Sequence, residues 1–194
     1  MLRWSMPTDA ELDELLATLS TQTVSYRVGL TSAPRTRGWV RDHHGVVLGR
    51  GDAVWQAVQT ALGEWRMFDQ PWLRLHPACP TIEVGAVVLV LARLGPLVSV
   101  NACRIVARLD EQGPPARYGF VYGTLALHAE MGEERFCVER DPVTDEVRLD
   151  VAALSRPHLW YCWPGFPLVR RMQHRFASGG RDAFVRRLGE LVAS

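Results

Sequence analysis

The chain has 194 residues, of which 47% are hydrophobic and 22% charged, a composition typical of a globular domain with a sizeable core. Its formal net charge of +1 creates no overall field that would attract nucleic acid or an anionic membrane surface. All 22 basic residues are arginine, which excludes chemistry that needs a lysine, such as Schiff-base formation or a Walker phosphate loop.

Targeting signals and cysteine spacing indicate the cellular compartment and the state of the cysteines. No apolar run approaches the roughly 20 residues of a membrane-spanning helix, and the N-terminal residues carry acids where a signal peptide would be apolar. We therefore predict a cytoplasmic protein without a membrane span. The four cysteines are scattered, with no C-x-x-C spacing, so we expect reduced thiols, no disulfide, no structural metal and no cofactor.

Helical and strand periods both occur in the first half of the chain. Thr8 opens a capping box ahead of an apolar stripe, which predicts a helix over residues 8–19. A second stripe begins after Asp52 and predicts a second helix. Between them, alternation over residues 24–31 predicts a strand, and the residues 32–50, rich in Arg, Gly, Pro and His, predict a loop.

From residue 84 the period changes to that of strands. The predicted strands cover approximately residues 84–93, 98–109, 117–127, 133–140 and 147–154. Because short turns separate them, an antiparallel meander is the simplest topology. The last segment has one broad apolar face from Leu168 to Leu191, which predicts a long C-terminal helix that Gly179 and Gly180 could kink or split.

These elements predict an α+β fold in which helices pack on one face of a curved antiparallel sheet of at least six strands. The long C-terminal helix would cross the concave face of that sheet. A cavity between the sheet and this helix would suit a small, mostly apolar ligand.

One residue of the central strands is unusual. Strand alternation places Glu134 on the same face as Phe136, so a carboxylate points toward the core, where it must be paired, hydrogen-bonded, protonated or hydrated. The sequence favours a mostly buried salt bridge, with Arg104, Arg156 and Arg171 as candidate partners. The alternative is a general acid or base whose pKa is raised in an apolar cavity.

Two further groups of polar residues are better explained by a structural role than by a binding site. His128, Glu130, Glu133 and Glu134 have the ligand types of a metal site, but alternation sends Glu133 and Glu134 to opposite faces, which favours a polar hairpin. The arginines near the C-terminus are typical of a solvated helix face rather than of a phosphate or nucleic-acid site. We therefore predict no nucleic-acid partner.

A combination of short motifs indicates a family. The run Tyr122-Gly123-Thr124-Leu125, followed by His128, Gly132-Glu133-Glu134 and Phe136, resembles the uncharacterised protein family zero-five-four-eight, a domain of unknown function in bacteria and plants. The similarity extends over approximately residues 24–190. That family looks related to the helix-grip superfamily of START domains and birch-pollen-allergen-like proteins.

The resemblance implies a helix-grip fold, in which a curved antiparallel sheet wraps around a long C-terminal helix and leaves a ligand cavity. It brings no established activity and no catalytic residues. We expect residues 1–194 to form a single helix-grip-like domain, with the helix over residues 8–19 as an extension.

Three functions remain open at this stage. The first is a module that binds a small apolar or amphipathic molecule between the sheet and the last helix, with an arginine near the mouth for an anionic group. The second is an enzyme of the cyclase, hydrolase or isomerase type that uses Glu134 with Tyr122 or His128 as acid and base. The third is a structural or interaction domain with a filled core. The candidate ligand-binding residues are Tyr122, Thr124, His128, Glu134, Arg104, Arg156 and Arg171. A cavity that Glu134 faces without an arginine would favour the enzyme.

Overall fold

The computed structural model of the protein describes residues 1–27, 29, 37–158 and 166–193. The strands are β1 Leu2–Arg3, β2 Val40–Arg50, β3 Leu73–His76, β4 Val87–Leu94, β5 Leu97–Glu111, β6 Ala116–Thr124, β7 Glu130–Arg140 and β8 Glu146–Pro157. The helices are α1 Asp9–Leu19, α2 Asp52–Gly63 and α3 Phe166–Ala193, with a 3₁₀ turn at Arg66–Phe68.

All the described strands belong to one antiparallel sheet. Its order is β2-β8-β7-β6-β5-β4-β3, and the short β1 pairs with the start of β5. Consecutive strands from β3 to β8 are neighbours, which confirms the predicted meander over β4 to β8 and adds β3 at one edge. The predicted α+β class and the sheet of at least six strands are therefore correct.

The interpretation of residues 24–50 was partly wrong. Residues 24–27 form no strand, while residues 28, 30 and 31 of the same prediction lie outside the described residues. The strand in this part of the chain is β2, where a loop was predicted, and it pairs with β8 in the register Asp42↔Ala153. Aspartate and glycine favour turns in isolation, but the backbone hydrogen bonds and packing offered by a neighbouring strand outweigh that preference.

The two faces of the sheet have separate cores. The inner face packs against α2, the 3₁₀ turn and α3, around residues such as Trp65, Phe120 and Phe136. The outer face packs against α1, whose Leu12 and Leu19 contact a cluster on β4 and β5. The helices therefore lie on both faces, and not only on one face as expected, because α1 covers the apolar outer residues of β4 and β5.

The C-terminal helix is continuous through its glycine pair. A Cβ atom added at Gly180 would lie 2.9 Å from the main-chain oxygen of Met67 in the 3₁₀ turn, and one added at Gly179 would overlap the side chain of Gln70. The glycines thus allow close contact between α3 and the 3₁₀ turn, and they do not split the helix.

Candidate functional site

A cavity of about 450 Å³ lies between the inner face of the sheet and α3. Its apolar wall contains Phe68, Trp72, Val90, Leu94, Leu97, Met172 and Phe176. Its polar wall contains Asp42, His44, Asn101, Tyr122, Thr124, His128, Glu130, Glu134 and Ser155. The lining is therefore amphipathic, and the two sets of residues adjoin each other, because Val90 pairs with Asn101 and the ring of Phe68 lies 6.4 Å from that of Tyr122.

A buried amide fixes the apolar wall. Gln70 donates from Nε2 to the main-chain oxygens of Met67 at 2.9 Å and Phe176 at 3.2 Å. Its Oε1 accepts a hydrogen bond of 3.0 Å from the indole N–H of Trp72. Because Gln70 is only 7% exposed, these bonds hold the 3₁₀ turn, α3 and Trp72 in one arrangement.

The polar wall is organised around a pair of side chains on adjacent strands. Tyr122 of β6 lies opposite Glu134 of β7 in the sheet register, and its hydroxyl donates to Glu134 Oε2 at 2.6 Å. Both side chains line the cavity, and Glu134 is partly exposed to it. The alternation along β7 that predicted an inward carboxylate is thus correct, because Phe136 and Val138 belong to the inner core.

The environment of this pair perturbs the pKa of both groups. Burial, which disfavours the charged form, raises the pKa of Glu134 to about 7. The hydrogen bond from Tyr122 opposes that rise, whereas the nearby carboxylates of Glu130 and Asp42 add to it. Burial and the carboxylate of Glu134 raise the pKa of Tyr122 well above its usual value, so its hydroxyl keeps its proton and acts as the donor.

Two further candidates from the sequence line the same cavity. Thr124 accepts a hydrogen bond of 2.9 Å at Oγ1 from the main-chain N–H of Gly132. His128 accepts one of 2.9 Å at Nδ1 from the N–H of Glu130. Burial lowers the pKa of His128 to about 4, so its ring is neutral at neutral pH and contributes no positive charge to the site.

The three arginines of the candidate set lie elsewhere. Arg104 follows Cys103, which is buried in the inner core, so its side chain points to the outer face. There its guanidinium donates to the main-chain oxygens of Gly85 at 2.8 Å and Ser20 at 2.7 Å, close to the end of α1. Arg156 lies 4.8 Å above the ring of Trp39.

Arg171 is exposed on α3 and is not among the described residues that line the cavity. Within the described part of the chain no arginine lies within salt-bridge distance of Glu134. For the described residues, the predicted salt bridge between Glu134 and an arginine is therefore wrong. Its place is taken by Tyr122, which the strand register sets directly opposite and which can donate without introducing a charge.

The carboxylate of Glu133 is separated from that of Glu134, as the alternation predicted. Glu133 is 2% exposed and its Oε1 accepts a hydrogen bond of 2.7 Å from the main-chain N–H of Gly29. Among the described residues, no three His, Cys, Asp or Glu side chains are grouped closely enough to hold a metal ion. No described helix is long and apolar enough to cross a membrane.

The sequence reasoning missed the contribution of β2. Asp42 and His44 reach the polar wall from this strand, and both were assigned to a loop. The signal that could have found them is the alternation of Val40, Asp42, His44 and Val46, which are side chains of one face of the strand. Trp72 was also missed as a wall residue because it lies in an irregular segment between prolines.

Comparison with known proteins identifies the family of the chain. The model of a domain of unknown function (DUF1990) matches residues 25–181. A UPF0548 protein of Deinococcus radiodurans is 36% identical over 195 residues, covering 94% of this chain and 96% of that protein. A UPF0548 protein of Dictyostelium discoideum is 29% identical and covers 80% of this chain and 76% of its own.

Solved structures support the fold alone, because their identity to this chain is low. The crystal structure of Ara h 8.0201 superposes with a TM-score of 0.51 at 13% identity and covers 81% of this chain and 100% of that one. The hypothetical protein jhp0584 of Helicobacter pylori has a TM-score of 0.52 at 13% identity, over 86% and 97% of the two chains. The similarity confirms the birch-pollen-allergen-like helix-grip fold that the resemblance implied. The chain belongs to the UPF0548 family and contains a domain of unknown function, DUF1990, over residues 25–181.

Proposed function

We propose that this protein binds a small apolar or amphipathic molecule in the cavity between the sheet and α3. The observation that carries the proposal is the volume of about 450 Å³, which is within the range of ligand sites. Protein interiors normally fill to crystal-like density, so a space of this size argues against the filled core of a purely structural domain.

The chemistry of the walls supports an amphipathic ligand. The aromatic rings of Phe68 and Phe176, with centroids 5.1 Å apart, offer an apolar surface beside Met172 and Trp72. The pair Tyr122 and Glu134 offers directional polar contacts in the same cavity. Such a division of few polar and many apolar groups orients a bound molecule.

The direct test is a fluorescence titration, because Trp72 forms part of the wall. Decanol, farnesol and an aromatic alcohol are added to the purified protein, and both the tryptophan emission and the melting temperature are measured. We expect at least one probe to change the emission and raise the melting temperature. No change with any probe would overturn the proposal.

A pair of matched variants separates cavity binding from surface adsorption. Ala153→Phe places a ring on the cavity wall opposite Glu134 in the register of β7 and β8, and should abolish the response. Ala126→Phe makes the same change at an exposed turn and should leave binding unchanged. Unchanged binding in a folded Ala153→Phe protein would place the probe outside the cavity and count against the proposal.

Acid–base catalysis on the bound molecule is a second candidate, and a specific observation favours it. A carboxyl group with a pKa of about 7 both accepts and donates protons at neutral pH, and here it faces a cavity with no described arginine beside it. Tyr122 would hold the carboxyl or donate to a developing negative charge. The reaction class would be that of a cyclase, hydrolase or isomerase.

Mass spectrometry of a metabolite extract tests the second candidate. Incubation with the protein should convert at least one small molecule. Glu134→Gln should lower the rate of that conversion about 100-fold or more, as expected for loss of a general acid–base group. Conversion that persists in Glu134→Gln, or none in the native protein, would leave binding as the function.

We also infer that the protein works in the cytoplasm. The cysteines at 79, 103 and 137 carry free thiols, which supports a reducing compartment.

A further inference from the structure

We propose that the ligand of this cavity carries a protonated amine, which Glu134 binds as its counter-ion. The inference rests on the proposed binding function and specifies the ligand class for the same site. It replaces the earlier expectation of an arginine that would receive an anionic group.

The described lining of the cavity contains acidic side chains but no arginine. Besides Tyr122, the ionisable side chains on its described inner-face lining are Asp42, His44, His128, Glu130 and Glu134. No arginine is among them, and the chain contains no lysine. His128 is neutral at neutral pH because of its burial. Glu134 therefore has no described guanidinium beside it, and an anionic group placed next to it would meet a carboxylate.

The carboxylate of Glu134 has room for a further hydrogen-bond donor. Its Oε2 accepts the hydrogen bond from Tyr122, and no other described donor lies within hydrogen-bonding distance of the carboxylate. The negative charges of Asp42 and Glu130 also act on this carboxyl group. A cation beside Glu134 would offset both the free-energy cost of burying the negative charge and the repulsion from Asp42 and Glu130. An ammonium group can also donate hydrogen bonds to the remaining lone pairs of the carboxylate.

The cavity offers a place for both the charged end and the apolar body of such a ligand. Tyr122 keeps its proton, so it holds Glu134 in a fixed position rather than competing for the cation. The apolar side chains of Phe68 and Phe176 line the same cavity and would receive a hydrocarbon or aromatic body. The site thus fits an amphipathic amine whose charged end lies at β6 and β7 and whose apolar body lies against α3.

Three probes of matched chain length separate the alternatives. Decylamine, decanol and decanoate are titrated into the protein at pH 8, where Glu134 is mainly ionised, with binding measured by tryptophan emission and calorimetry. We expect decylamine to bind about tenfold more tightly than decanol, the ratio that a charge-assisted hydrogen bond supplies, and decanoate to bind more weakly than decanol.

Variants identify the group that selects the amine. Glu134→Gln keeps the shape and the acceptor for Tyr122 but removes the charge, so the preference for decylamine over decanol should fall to about one. Glu139→Gln removes a carboxylate from the opposite face of the same strand, where it pairs with Arg117 at 2.7 Å, and should keep the preference.

The outcomes distinguish the two proposals. If none of the probes binds, the binding function itself fails. If decanol or decanoate binds as tightly as decylamine, or if Glu134→Gln keeps the amine preference, the cavity binds ligands but the assignment of an amine is overturned.

Discussion

Replacing Glu134 by glutamine should stabilise the unliganded protein at alkaline pH. The folded protein raises the pKa of this carboxyl from 4.5 to about 7, so it binds the proton more tightly than the unfolded chain does. The stabilisation from the protonated carboxyl is complete below pH 4.5 and is lost as the pH rises through 7. Glutamine remains neutral at every pH and avoids that loss.

The magnitude follows from the size of the shift. About 2.5 pKa units would correspond to about 3 kcal/mol, and the partial exposure of Glu134 reduces this to about 2–3 kcal/mol at pH 8. At pH 4.5 the same linkage between protonation and folding predicts that the free energies of unfolding of the two proteins differ by less than about 0.5 kcal/mol from this cause. Other titrating groups are common to both proteins and cancel in the difference.

Urea denaturation at pH 4.5, 6 and 8 measures this difference in the free energy of unfolding. Glu139→Gln is the control, because Glu139 lies on the same strand but pairs with Arg117 at the surface. That substitution should cost less than about 1 kcal/mol. A Glu134→Gln protein that is less stable than the native one at pH 8 would refute the reasoning, since that is the result a buried arginine partner would produce.

Two further pairs of variants test packing and the role of Arg104. Gly180→Ala should destabilise the protein by about 1–3 kcal/mol, because its Cβ would press on the main-chain oxygen of Met67, whereas Gly189→Ala in open space on the same helix should stabilise it by about 0.5–1 kcal/mol. Equal effects in thermal unfolding would contradict the close contact. Arg104→Met should lower stability by about 1–2 kcal/mol by removing hydrogen bonds to the main-chain oxygens of Gly85 and Ser20 while probe affinity is unchanged, and Arg108→Met at an exposed position of the same strand should change neither. A large loss of decanol affinity in folded Arg104→Met would show that this residue acts on the cavity.

Local patterns were sufficient for most elements. The capping box at Thr8 begins α1, and the alternation from residue 84 onward predicts the strands of the meander, since both signals depend on neighbours within a few residues. The same alternation predicts that Glu134 faces inward. A period of two residues determines the face of a strand whatever that strand is paired with.

Tertiary structure decided the partners. Glu134 contacts Tyr122 rather than an arginine because the register of β6 on β7 places the two side chains opposite each other. Pairing with β8 along its length makes β2 a strand, although its glycine and charged residues had predicted a loop. Gly180 serves a contact between α3 and the 3₁₀ turn, more than 100 residues apart in the chain. Each of these depends on atoms distant in sequence, whose approach is set by the packing of the whole sheet and helices and not by any local preference.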